Sequence, residues 1–343
     1  MNVLLLTSHS IAEYDDLRML TDLGYDVFSI GAYTSPAEPT DDKRPALDAP
    51  AHPELAALCD EQREAMTREW GEPGPYIDWA KGKLHPEVVD WADVIIVHHF
   101  PETWIGGQWD KIKHKRVVWR TCGQSDPRLE MTMSQYRAQG LQVVRYSPAE
   151  RRAFQPLTMW AGEDTVIRFG KYPADYGPHD GRMAAVGNVT QHMAQRGDAC
   201  GLDRWLSATD GLAVYPAGPG SESLGGIGAL PYEGMLDYLR MIRVYLYTGT
   251  MPASYTLGLI EAMLSGVHVV PFAWTGPNLW LARLWEADDI LQTKMAHEVI
   301  PSHLRTALND QAWAQERGEL DRQRAMQLFD VVVVGPQWKA FLG

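Results

Sequence analysis

The chain has 343 residues, of which 45% are hydrophobic and 22% charged, and its formal net charge at pH 7 is −13. That length is enough for two domains with full cores, and the composition is that of a globular protein, not a disordered or fibrous one. The acidic balance argues against tight nonspecific nucleic-acid binding, which relies on Lys and Arg neutralising phosphates.

The opening residues, MNVLLLTSHS, lack the basic leader and apolar length of a signal peptide, and nowhere do about 18 apolar residues run together. A cytoplasmic protein without stable membrane association is expected. The periodicity predicts a buried strand over residues 2–6, a polar loop, a helix from about 11 to 23 followed by Gly24, and a second strand over 26–30. This is how a doubly wound α/β domain begins. The loop after the first strand has no G-x-G-x-x-G, which argues against a dehydrogenase, and no G-x-x-x-x-G-K-[ST] occurs either. Residues 34–53 are rich in Pro, Ala and Asp and read as an insertion, either a surface excursion or an acceptor-side loop; a charged helix follows over 53–70. Cys59, Cys122 and Cys200 lie far apart with no CxxC pair, so neither a disulfide framework nor a zinc site is indicated.

An apolar strand over residues 93–97 ends in His98-His99-Phe100-Pro101. Open α/β sheets bind ligands at the carboxyl ends of their strands. Adjacent side chains on a strand point opposite ways, so at most one of His98 and His99 easily faces a ligand there. The basic run over 111–116 reads as a solvated turn before a strand over 117–119. That strand ends in a polar, Gly-containing loop in which Arg120, Gln124 and Asp126 are site candidates, with a structural Arg–Asp pair as the alternative. A strand over 141–146 and a helix over 147–154 close the first domain near residue 160.

The alternation then restarts. Residues 165–169 are extended, a Gly/Pro/Asp-rich linker runs to Gly181, and a strand over 183–186 ends in Gly187-Asn188-Val189-Thr190. An amphipathic segment reaches Leu206, a strand is expected over 212–215, and a helix over 232–241. The unit that follows comprises a strand over 244–247, a helix over 256–265 and a strand over 267–272. Ser254 or Thr256 can cap the helix, and Gly266 sits where a left-handed residue is wanted. Glu261 is the only charged residue of that helix and shares a face with Leu257 and Leu264. A carboxylate buried there needs donors, since an unpaired one costs several kcal/mol or more. It is either a structural Glu that caps a neighbouring backbone or a ligand group that accepts hydrogen bonds from sugar hydroxyls. The expected architecture is α/β, two Rossmann-like domains (1–160 and 161–330) facing a cleft, with the tail 331–343 packing back on the first.

The second half resembles the donor domain of a retaining GT-B glycosyltransferase of the family-four type. The motifs that carry the resemblance run in order as Val186-Gly187-Asn188, Arg196-Gly197, Gly218-Pro219-Gly220, Glu261-Ala262-Met263 and Gly266-Val267-His268-Val269-Val270. The resemblance covers about residues 165–275; in the first half it is one of layout, including D-V-x-x-x-H from Asp93 to His98. It implies transfer of a hexose or pentose from a nucleoside diphosphate sugar, with UDP the expected nucleotide and with no further cofactor or metal required. Family members meet the diphosphate with an Arg and a Lys. This chain has Asn188 at the Arg position and Arg196 a few residues beyond the Lys position, and Lys171 is an available substitute cation. The stretch Tyr255-Thr256-Leu257 would add backbone amides to the phosphate cradle, and Glu261 would bind the ribose hydroxyls. Where the family carries a second Glu that contacts the sugar, eight positions before Glu261, this chain has Ala253. His98 or His99 would contact the sugar from the first domain, with Asp126 completing the candidate catalytic set. Retention in this fold is usually drawn as same-face attack assisted by the leaving phosphate, so no side-chain nucleophile is needed.

The acceptor is expected to be soluble, since no amphipathic membrane-docking helix is evident. The wording YTLGLIEAM resembles divergent glycosyltransferases of bacteriophage, some of which modify hydroxymethylated bases in DNA. Such a base would have to leave the stack, and residues 111–116 with Arg120 and Arg128 would contact phosphates. An epimerase or hydrolase on the same scaffold, or a non-catalytic nucleotide-binding protein, are the alternatives.

Overall fold

Fully apolar runs become strands covered on both faces, and in a computed structural model of the chain they assemble into two all-parallel sheets. The structure describes residues 1–7, 9–30, 44, 45, 47, 52–70, 84–158, 160–272, 279–291, 295 and 297–343. Most of the insertion expected over 34–53 lies outside the described residues. Two compact units result: unit 1 is Met1–Gly170 with Gly335–Gly343, and unit 2 is Lys171–Val334.

Unit 1 contains β1 (Asn2–Leu6), β2 (Asp26–Ile30), β3 (Val94–Val97), β4 (Arg116–Arg120), β5 (Gln142–Arg145) and β6 (Thr165–Val166), in the order β2-β1-β3-β4-β5-β6. The order reverses between β1 and β3, which makes their carboxyl ends the topological switch point where such sheets hold ligands. Val3, Leu5, Ile95 and Val118 are all fully or almost fully buried. One large core joins Leu4, Leu6, Ile95, Val97, Trp104, Val117, Trp119 and Val143. Within it Arg145 donates to Glu130 Oε2 at 2.8 Å and to Gly162 O at 2.8 Å, with its guanidinium 5.2 Å from the Trp119 ring. A buried charge fully partnered in this way is tolerated where a lone one is not.

The end of the chain belongs to unit 1. The helix Val331–Leu342 carries Trp338, 1% exposed, and its last carbonyls, Phe341 O and Leu342 O, accept from the Arg116 guanidinium at 2.6 and 2.8 Å. Unfilled carbonyls at a helix terminus are favourable partners for a cation.

Unit 2 holds β7 (Met183–Gly187), β8 (Ile242–Tyr247) and β9 (His268–Pro271) in the order β7-β8-β9. The strand expected over 212–215 is reduced to a single parallel bridge, Val186 to Val214, with Tyr215 N donating to Val186 O at 2.9 Å. The hydrogen bonding to β7 continues past Pro216, with Ala217 N donating to Asn188 O at 2.8 Å. This bridge flanks β7 on one side and β8 on the other, which puts unit 2's own switch point at the carboxyl ends of β7 and β8.

The helix Gln311–Phe329 lies against the turn before β9 because Gly318 leaves room. A Cβ there would sit 1.9 Å from Gly266 O. At the opening of β9, His268 Nδ1 lies 2.9 Å from Asp321 Oδ2, and its Nε2 lies 2.9 Å from His303 Nε2. The Asp321 carboxylate can only accept, so His268 Nδ1 donates to it, and the two Nε2 atoms share one further hydrogen bond. Burial, then His268 and Arg317, push the His303 pKa down to about 4. Among the described residues no helix is long and apolar enough to cross a membrane.

Candidate active site

The helix Leu257–Leu264 is apolar almost all round and therefore buried. Thr256, not Ser254, caps it, its Oγ1 accepting from Leu259 N at 3.3 Å. Gly266, at φ +79°, ends it in the left-handed conformation that glycine adopts without penalty. Glu261 is 6% exposed and pairs with Lys171, itself 1% exposed, at 2.7 Å between Nζ and Oε1. Lys171 is held in turn by its backbone, which donates to Phe329 O at 2.7 Å and accepts from Val331 N at 2.9 Å. The Tyr255 ring, just before the cap, packs 5.4 Å from the ring of the same Phe329. The fold thus joins three of the candidate residues, Lys171, Tyr255 and Glu261, around one chain crossing, and Thr256 and Leu257 begin the helix between them.

Gly187 ends β7 where no side chain fits, since a Cβ would lie 2.3 Å from Ile242 Cδ1 and 2.5 Å from Tyr238 Oη. The next residue, Asn188, is buried, and its carboxamide is engaged by its own chain: Nδ2 donates to Leu246 O at 2.8 Å, and Oδ1 accepts from Thr190 N at 2.6 Å. It joins the ends of β7 and β8 and carries no charge. Arg196 closes the short helix Met193–Arg196 and is exposed, its guanidinium making a long 3.5 Å approach to Gln191 O. A second cation that sequence reasoning passed over, Arg204, lies with its guanidinium 5.7 Å from the Phe272 ring, just past β9. Burial lowers its pKa, with Asp198 acting the other way. Around the end of β8, Gly249 at φ +81° admits the Trp285 ring to within 2.3 Å of where a Cβ would be, and that ring stacks on Tyr247 at 5.5 Å. Ala253 lies in this loop, and the neighbouring Ser254 O accepts from Glu286 N at 3.3 Å. Glu286, 4% exposed, is a buried carboxyl residue brought from a distant element to the loop where the family pattern has its Glu.

In unit 1 the two histidines part at the switch point, as strand alternation requires. His98 turns to Asp16, with Nε2 3.1 Å from Oδ2 and both side chains enclosed. His99 stacks under the exposed His9, ring centroids 5.5 Å apart at 18°. Burial, then His9 and His98, hold its pKa well below the usual imidazole range, which keeps it neutral at neutral pH. Phe100 follows with φ +53° and 40% exposure, a backbone conformation unusual for a bulky residue. Asp126 is exposed and caps the helix Pro127–Arg137, Oδ1 accepting from Leu129 N at 2.8 Å. Arg120 is fully enclosed, donates to Ile167 O, and lies 4.8 and 5.5 Å from the Phe169 and Trp338 rings. Behind it Thr121 Oγ1 donates to Glu150 Oε2 at 2.6 Å, and burial pushes the Glu150 carboxyl up to about 7 despite Arg145 and this hydrogen bond.

The phosphate-contacting rim expected from residues 111–116, Arg120 and Arg128 is not assembled. Residues 111–116 lie at the amino end of β4, roughly 15 Å along the strand from its carboxyl end. Lys113 pairs with Asp110 at 2.6 Å, Lys115 donates to Asp90 O, and Arg116 holds the last helix. Arg120, enclosed, presents no cation at the surface. Among the described residues no group of three or more His, Cys, Asp or Glu side chains is placed to hold a metal ion.

No family model matches the chain, and no curated protein sequence matches it. Solved structures do. The chain is similar to sucrose-phosphate synthase from Thermosynechococcus elongatus, with 16% identity over 100% of this chain and 98% of that chain and a TM-score of 0.64. It is similar to Anabaena HepE, solved with UDP and glucose, with 14% identity over 100% and 99% of the two chains and a TM-score of 0.62. An alpha-glucosyltransferase, solved with UDP and a 13-mer DNA containing an HMU base, matches at 8% identity over 100% and 99%, with a TM-score of 0.60. At these identities the likeness is one of fold: this chain has the α/β fold of the GT-B glycosyltransferases.

Proposed function

We propose that the protein is a glycosyltransferase that moves a sugar from a nucleoside diphosphate sugar to an acceptor hydroxyl, with unit 2 binding the donor and unit 1 the acceptor. The observation that carries this reading is Glu261, a carboxylate buried on the helix that follows β8 and provided with a buried counter-charge by Lys171. A carboxylate kept there at such expense of desolvation suits the recognition of a ribose diol, whose two hydroxyls donate to it. Arg196 and the backbone amides at Thr256 and Leu257 would meet the diphosphate, the positive end of the helix favouring the charge that grows on the leaving group. Gly187 and Asn188 would shape the wall beside the nucleotide without adding charge.

UDP is the proposed nucleotide, in keeping with its presence in the HepE and alpha-glucosyltransferase structures. Transfer would proceed with retention and without a divalent metal, His98 or His99 contacting the sugar and Asp126 lying on the acceptor side. A thermal-shift series over nucleoside diphosphates and nucleotide sugars tests the donor, because stabilisation grows as the logarithm of ligand concentration over Kd. UDP and a UDP-sugar should raise Tm, and Glu261→Gln should remove most of the shift. No response to any nucleoside diphosphate at millimolar concentration would refute the reading. Product NMR reports the anomer, and unchanged turnover in a chelator is expected.

The finer reading of the acceptor is a hydroxymethylated base in DNA, supported by the fold shared with the DNA-bound alpha-glucosyltransferase. Glucosylation of such DNA should then weaken steeply with added salt, whereas salt-insensitive activity would sink this acceptor.

A further inference from the structure

We infer that Lys171 is a positioning residue for Glu261, holding one carboxylate oxygen so that the carboxylate is presented to the ribose diol, and that it is not a diphosphate-binding cation. The inference rests on the donor reading above and goes beyond it by assigning ribose discrimination to a residue that touches no substrate.

Three observations carry it. The Lys171 ammonium is 1% exposed and lies 2.7 Å from Glu261 Oε1, so its charge is directed into the interior and toward a carboxylate. Lys171 opens unit 2, and its backbone is pinned on both sides, N–H to Phe329 O and C=O to Val331 N. A long, flexible side chain is thereby given a fixed origin, and the carboxylate it meets a fixed end. The helix that carries Glu261 is fastened to the same crossing a second time, through Tyr255 on Phe329 at 5.4 Å. A carboxylate accepts a vicinal diol well only when its plane is set in advance, because each hydrogen bond otherwise has to offset the rotamer freedom lost on binding. Helix, crossing and ammonium together set that plane. A phosphate-binding lysine would need its ammonium at the surface, where Arg196 is and Lys171 is not.

The experiment is calorimetry of UDP and 2′-deoxy-UDP on the full chain. A carboxylate that receives the ribose hydroxyls should favour UDP about tenfold or more in the wild type, and Glu261→Gln should reduce that ratio to a few-fold. Lys171→Met should also reduce the ratio to a few-fold, while Lys171→Arg, which keeps a cation on the carboxylate, should retain most of it. A residue needed only for packing would weaken both ligands alike and leave the ratio unchanged; that result in Lys171→Met would overturn the inference. Should Lys171→Met not fold, Lys171→Gln, which keeps a neutral donor, is judged by the same ratio. Failure of both to fold would assign the pair to stability alone and overturn it as well. A wild type that binds UDP and 2′-deoxy-UDP equally, matched by Glu261→Gln, overturns the ribose role of Glu261 and with it the inference, whereas a wild type that binds neither refutes the donor reading itself; both outcomes are visible before any Lys171 variant is measured.

Discussion

Substituting the two members of the Lys171–Glu261 pair singly and together probes the fold without any ligand. At 2.7 Å the two charges attract by roughly 6 kcal/mol at an effective dielectric of about 20. Desolvating two ions that are 1% and 6% exposed costs several kcal/mol each, which cancels most of that attraction. The net contribution of the pair is therefore small, while either half left alone is a buried, uncompensated charge. Lys171→Met and Glu261→Leu should each destabilise unit 2 by about 3–5 kcal/mol. The double variant, with two apolar side chains in contact, should fall within about 1–2 kcal/mol of the wild type, a coupling of several kcal/mol. Urea unfolding followed by far-UV circular dichroism gives the midpoints, and a constant m value shows that the transition being compared is the same one. Single-variant losses that simply add in the double variant would show that the two charges do not compensate each other, and the pairing argument would fail.

Three other outcomes follow from buried groups. Because the His303 pKa is lowered to about 4 from an ordinary 6.5, the folded state binds fewer protons than the unfolded one in that window. Its stabilising contribution is thus complete above about pH 6.5 and is lost as pH falls toward 4. Comparing urea midpoints at pH 7 and 4.5, His303→Asn should lose less stability on acidification than the wild type, by about 1–2 kcal/mol after allowance for partial exposure; equal losses would exclude the effect. Glu150 has the opposite sign: its carboxyl is raised to about 7, so the folded state binds the extra proton and unit 1 weakens as pH rises from about 4.5 through 7. Glu150→Gln, which can still accept from Thr121, should gain about 2–3 kcal/mol over the wild type at pH 8 and little at pH 4.5, with a pH-independent difference counting against the assignment. Gly318→Ala should destabilise unit 2 by about 3 kcal/mol or more, read as a lowered Tm, because its Cβ would meet the Gly266 carbonyl at 1.9 Å; a neutral substitution would show that the helix can shift away.

Strands buried on both faces announce themselves as unbroken apolar runs, and eight of the nine strands among the described residues, β1 among them, were legible to within a residue or two at each end. Helix caps were legible for the same local reason: Thr256 and Gly266 act through hydrogen bonds and dihedrals that reach only a few residues. The strand expected at 212–215 is only a bridge, because an apolar run shows hydrophobicity but not how many of its residues pair with a neighbour. Side-chain pairing across long separations was not legible at all. Lys171 and Glu261 lie 90 positions apart, and nothing in either local pattern announces the other. Glu286 and Arg204 went unnoticed because each sits in an ordinary charged stretch, and only the return of its element to the sheet edge brings it to the candidate site. Arg120 misled in the opposite sense: the polar loop after β4 suggested exposure, while the side chain turns inward between two rings.

One of those rings belongs to Trp338, and the grip of Arg116 on Phe341 O and Leu342 O closes the same unit. Unit 1 is therefore discontinuous in sequence, interrupted by the whole of unit 2. On a ribosome its six strands emerge first, but Arg120 must wait for its second aromatic flank until the last helix is made, on the order of 10–30 s at about 5–20 residues per second. Through that interval the unit holds a nearly buried cation with one side open. A nascent chain of this topology has a built-in period of exposure that a sequential two-domain protein avoids, and a fragment ending at Gly170 would remain in that state.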